Sequence, residues 1–153
     1  NDAARWKCCD GCLGRSAGIA ASRTLLTGGE PSLFPFASLP VWLGPGTRPG
    51  FTGPETVSVP LASGTAIGLL VRSTACASCT TANQTLQVTV LRDGVSTSLQ
   101  CTVQNVGMTP GTCSDTGLEP FQEGESLAVS VIVVAGVPAA TSVRFTVVYD
   151  LAP

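Results

Sequence analysis

Seven cysteines are the residues of this chain whose spacing could do chemistry. Cys8-Cys9-Asp10-Gly11-Cys12 crowds the N-terminus, Cys76-Ala77-Ser78-Cys79 forms a second cluster, and Cys101 and Cys113 stand apart. A disulfide between adjacent residues needs a strained eight-membered ring, outside the usual Cα separation, so Cys8 and Cys9 point to different partners. An odd total leaves at least one cysteine free or bonded between chains. Chain termini are poorly ordered unless something ties them down, which makes a thiol-rich terminus suited to tethering another molecule. The pattern therefore predicts intermolecular disulfides from Cys8, Cys9 and Cys12.

Cys9/Cys12 and Cys76/Cys79 also have the Cys-x-x-Cys spacing of a four-thiolate zinc site. Zinc ribbons bring their two knuckles closer in sequence than Cys12 and Cys76, and three cysteines would remain unexplained, so no metal is expected. A redox Cys-x-x-Cys opens a helix after a strand, a context neither pair has. Structural bridges fit better. Cys101 falls on an expected strand and Cys113 just beyond its loop, so a local bridge could staple that connection. Cys76 and Cys79 could bond each other across a tight turn or receive a neighbour's arm cysteines.

Other chemistry finds little support. Histidine is absent, which excludes His-based triads, His-liganded zinc and haem. Most of the carboxylates Glu55, Asp93, Asp115, Glu119, Glu123, Glu125 and Asp150 sit at expected turns, where such residues serve the backbone. The Glu119, Glu123 and Glu125 group matches no calcium loop, and there is no phosphate loop or Gly-x-Ser-x-Gly elbow. No enzyme and no cofactor are expected. Charged residues make up 12% of the chain, about half the usual share, and mean hydropathy is +0.36. Such poverty of charge implies surface buried against copies of itself, a homo-oligomer. The net charge of −2 offers no footprint for nucleic acid. No apolar stretch approaches the ~20 residues of a membrane helix, so no membrane insertion is expected. The cysteine content suits an oxidising, extracellular setting.

The elements that would position these residues divide near residue 54. Residues 1–54 hold Pro31, Pro35, Pro40, Pro45, Pro49 and Pro54 interspersed with glycines. Proline fixes φ and removes a ladder donor, so the segment cannot be central sheet. Leu33, Phe34, Phe36, Leu39, Val41, Trp42 and Leu43 are too apolar for a solvated linker. Residues 1–54 thus read as a connector whose extended arm packs along a surface, its own or a neighbour's, with Leu33, Phe34, Phe36 and Trp42 as its assembly contacts. An N-terminal strand covering its own barrel is the alternative.

Residues 55–153 read as strands. Thr56 to Leu61 alternates, and Thr65 to Arg72 is a short apolar run. Gln84 to Leu91 has period two, with Leu86, Val88 and Val90 on one face. Arg92-Asp93-Gly94-Val95 is a hairpin signal, and the return strand passes through Leu99, Cys101 and Val103. Thr116 to Phe121, Ser126 to Val134 and Thr141 to Leu151 complete the set, the last with Val143, Phe145, Val147 and Tyr149 sharing a face. Seven to eight short strands without a helical period predict an all-β, jelly-roll-like sandwich. Val131 to Val134 and Val147-Val148 are apolar on both faces, so their outer side needs a cover.

Trp6-Lys7-Cys8-Cys9 with Cys12 downstream, and the closing strand Val143-Arg144-Phe145-Thr146-Val147-Val148-Tyr149-Asp150-Leu151, resemble endospore appendage (Ena-type) fibre subunits. In that family a flexible connector precedes a jelly roll, and its cysteines form disulfides to subunits further along the fibre. The stretches Val90 to Val95, Thr112 to Thr116 and Glu123 to Leu127 also resemble small jelly-roll domains of bacterial surface, exosporium and phage-associated proteins. The resemblance implies a structural subunit of a disulfide-cross-linked, pilus-like or spore-appendage-like fibre at the cell or spore surface. A capsid-decorating or tail jelly roll of a virus is the alternative expectation.

Overall fold

The computed structural model describes residues 22–33, 39–46, 53–75 and 83–152; Cys8, Cys9, Cys12, Cys76 and Cys79 lie outside them. Among the described residues there are nine strands and no α-helix. The strands are β1 (Arg23–Leu33), β2 (Val41–Leu43), β3 (Val59–Pro60), β4 (Gly64–Ala75), β5 (Asn83–Arg92), β6 (Val95–Val106), β7 (Gly111–Phe121), β8 (Ser126–Gly136) and β9 (Thr141–Leu151).

Period-two patterning explains the long strands. On β9, Val143, Phe145, Val147 and Tyr149 are buried while Arg144 between them is exposed. On β5, Leu86, Val88 and Val90 are all fully buried. The β5–β6 turn has φ 48° at Asp93 and 78° at Gly94. Two successive positive φ values match the twist of a two-residue hairpin, and they bring Arg92 opposite Val95.

The strands pair antiparallel in two sheets, one ordered β1-β9-β4-β7 and the other β2-β8-β5-β6, with β3 also on β8. Strands β2 and β3 occupy successive stretches of the same β8 edge, opposite Val129 to Val131 and Ser126 to Leu127. Apart from β2 and β3, which share the β8 edge, and the β5–β6 hairpin, successive strands cross between the facing sheets, in the order of a jelly roll. One continuous core fills the space between them, drawing on Leu43, Leu69, Leu86, Leu99, Leu127 and Phe145 among others. Tyr149 meets Phe121 edge-on at 5.9 Å and donates its hydroxyl to the Ala62 carbonyl at 2.7 Å.

A buried polar clasp joins the sheets near one end. The Asn105 amide of β6 donates to Ser73 Oγ of β4 at 2.8 Å and to Thr141 Oγ1 of β9 at 2.9 Å. Thr141 Oγ1 in turn donates to the Thr74 carbonyl at 2.8 Å. Asn105 Oδ1 is buried without a partner, which offsets part of what the clasp contributes.

Two sequence expectations change. Residues 23–33 and 41–43, read as arm, are strands of the chain's own sandwich. β1 pairs with β9 and β2 with β8 at the ends of the two sheets, which brings the strand count to nine. An end strand needs ladder hydrogen bonds on one side only, so proline is tolerated there. Pro31 lies where the β1 register shifts between Glu30 and Leu33, and Pro40 just precedes β2. Val41 and Leu43 belong to the core between the sheets. The second change concerns Thr56 to Leu61, which shrinks to β3. Pro54 opens a 3-10 turn, Pro54–Thr56, whose carbonyl accepts the amides of Val57 and Ser58 at 3.1 and 2.9 Å.

Leu86→Ala should lower unfolding free energy by ~2–5 kcal/mol, because the two apposed sheets cannot collapse into the void. Leu118→Ala, at a side chain 77% exposed, should stay within about 0.5 kcal/mol of the parent. Chemical denaturation of both variants checks the assigned inward and outward faces.

Candidate functional site

The features that bear on function lie along the flanks of the sandwich, where sheets present unpaired backbone groups. One flank is formed by β6 and β7, which end the two different sheets. Cys101 of β6 and Cys113 of β7 are joined there by a disulfide of 2.04 Å across a sequence separation of 12. Both pack against the main core. The bond ties one sheet to the other rather than merely closing a loop.

Carboxylates from β7 continue the closure. The outward amides of Ser98 and Gln100, alternate residues on β6, donate to Glu119 Oε1 at 2.7 Å and Asp115 Oδ2 at 2.9 Å. The second Asp115 oxygen accepts from the Thr116 amide at 2.8 Å. Arg92 donates to the Pro120 carbonyl at 2.7 Å. Hydrogen bonds from Ser98, aided by the Arg92 charge, hold Glu119 below the ordinary glutamate value near 4.5, against the opposing effect of desolvation. An edge whose donors are already engaged by side chains is a poor template for another strand. The acids that looked like ordinary turn residues in the sequence therefore seal an edge.

The opposite flank, formed by β1 and β2, carries fewer such links among the described residues. Gly46 N–H donates to the Thr27 carbonyl at 3.2 Å, and Arg23 pairs with Asp150 of β9 at 2.8 Å. Trp42 faces outward from β2 and packs half-buried on a small second cluster of Val57, Leu91 and Ala128. The chain itself thus covers part of the apolar outer face of β8, while Val134 remains 49% exposed.

Of the sequence-derived sites, Cys101 and Cys113 come together and Trp42 sits in the second cluster. Leu33 ends β1, opposite Thr141. Phe34, Phe36 and the five remaining cysteines lie outside the described residues. Among the described residues no group of three or more Cys, Asp or Glu side chains is placed to hold a metal ion, and no helix is long and apolar enough to cross a membrane. Comparison of the chain with protein-family models and with curated proteins finds no match.

Two measurements follow from the sealed flank. Replacing Cys101 and Cys113 together by serine should cost roughly 3 kcal/mol of unfolding free energy, the scale for a closed loop of this length. For Glu119, the folded carboxylate titrates lower than the unfolded one, so its contribution is full above about pH 4.5 and is lost as pH falls through the depressed folded value. Glu119→Gln should therefore flatten the loss of stability on acidification, as read from denaturation midpoints above and below that range.

Proposed function

We propose that this protein is a structural subunit that polymerises into a disulfide-cross-linked extracellular fibre. The observation that carries the reading is the pairing of a self-sufficient, stapled sandwich with the Cys8-Cys9-Asp10-Gly11-Cys12 terminus that precedes it. Cys101 and Cys113 satisfy each other, so they do not serve as acceptors for the terminal thiols. Cys76 and Cys79, on the segment between β4 and β5, are the natural candidates. A cystine inside the sandwich also agrees with an oxidising, surface location.

Several surface properties support self-association. Charge is sparse, and Leu25, Leu70 and Leu118 on strands of the first sheet are 60%, 51% and 77% exposed. The sealed β6/β7 flank directs any strand pairing between copies to the β1/β2 flank, which lies nearest in sequence to the cysteine terminus. A head-to-tail contact between unlike surfaces builds an open helical filament when its rotation does not close.

The jelly-roll order of the strands supports a second reading, a capsid-decorating or tail protein of a virus, in which the same surfaces close into a ring or dock on a lattice.

Denaturing electrophoresis without reductant should resolve a ladder of covalent oligomers, and Cys8→Ser with Cys9→Ser should weaken it toward shorter oligomers while circular dichroism still reports a folded β protein. A single monomer band from the unreduced native protein would contradict the proposal.

A further inference from the structure

The outer face of the first sheet carries a pair of like charges that the assembly reading does not use. Arg72 on β4 and Arg144 on β9 stand directly opposite each other in the ladder, and both are exposed. The other two described arginines are engaged: Arg23 with Asp150, and Arg92 with the Pro120 carbonyl. The guanidinium groups of Arg72 and Arg144 have neither an ion pair nor a hydrogen bond to another described residue. The acids nearest in register are taken. Asp115 is held by the amides of Gln100 and Thr116, and Glu30, opposite Val143, is itself engaged.

Like charges set directly opposite on one sheet face destabilise it. A guanidinium cannot relieve this by losing its proton, and an anion shared by the two would relieve it. The surroundings suit one. Thr112 of β7 is opposite Arg72 on its other side, and Thr74 and Ser142, paired with each other, lie one outward step along the strands. Two adjoining shallow depressions, of about 440 and 280 Å³, share Arg72 and Arg144 in their lining; Thr112, Ser114 and Thr146 line the larger. A carboxylate offers a single O–C–O edge for bidentate pairing, so a second guanidinium can meet it only through the remaining lone pairs. A tetrahedral oxyanion has enough acceptor oxygens to take both forks and a neighbouring hydroxyl.

We propose that Arg72 and Arg144 form a binding site for a tetrahedral oxyanion, a phosphate or sulfate group, either free or carried as an ester on a polymer. The site is independent of polymerisation and stands or falls apart from it.

Thermal unfolding of the full-length chain at fixed ionic strength, titrated with inorganic phosphate against chloride, tests the site. The wild-type Tm should rise saturably with phosphate, since a ligand of the native state stabilises by mass action. Arg72→Gln and Arg144→Gln should each abolish that rise while unfolding in chloride at no lower temperature than the wild type, because each removes a repulsion. A second titration with dextran sulfate distinguishes the sources: many-fold tighter binding per sulfate than inorganic sulfate assigns a polymer-borne ester, and equal binding assigns the free anion. A phosphate response that is absent, non-saturable or unchanged in both variants would overturn the proposal.

Discussion

The constraint on which the rest of this structure depends is that two packed sheets have edges, and every edge exposes a row of unpaired backbone donors and acceptors. Burying Leu69, Leu86, Val88, Leu127 and Phe145 between the sheets supplies the cohesion, but it does nothing for the flanks. On the β6/β7 side the chain resolves the problem with side chains that reach from one sheet to the other: a cystine, two carboxylates and an arginine. With that side sealed, the sandwich is a unit that presents unlike flanks. Unlike flanks are a prerequisite for directional assembly, whereas two open flanks invite indiscriminate aggregation.

Much of this was legible in the residue order, and the failures have physical causes. Strands β5 and β9 announce themselves through period two, β4 and β8 through their apolar runs, and the Asp93-Gly94 hairpin through its demand for positive φ. Strands β1 and β2 were legible only as one of two alternatives, a strand on the chain's own barrel or an arm laid along a surface, because their proline and glycine content forbids a central position without forbidding an end position. Their partners, β9 and β8, lie more than a hundred or nearly ninety residues away in the chain, and local sequence carries no trace of so distant a pairing. The roles of Asp115 and Glu119 were obscured for a similar reason. Each acts on a strand of the opposite sheet, so only the fold reveals what its carboxylate meets. Arg72 and Arg144 were equally unremarkable until the β4–β9 register set them side by side.

The division of labour that results is simple. Apolar burial and the Asn105 clasp hold the sheets together, the β6/β7 links make one flank a poor template for pairing, and in the proposed fibre the cysteine-rich terminus makes the bonds between chains. Among the described residues, the polar side chains that reach between the sheets meet backbone donors, a backbone carbonyl and one another.

The central claim, an open polymer of cross-linked jelly rolls, is tested most directly by negative-stain electron microscopy of the native, unreduced protein. The account predicts filaments of uniform width with a regular axial repeat, which shorten or disperse when the disulfides are reduced. Closed rings, isometric particles or dispersed single subunits in the unreduced sample would contradict it.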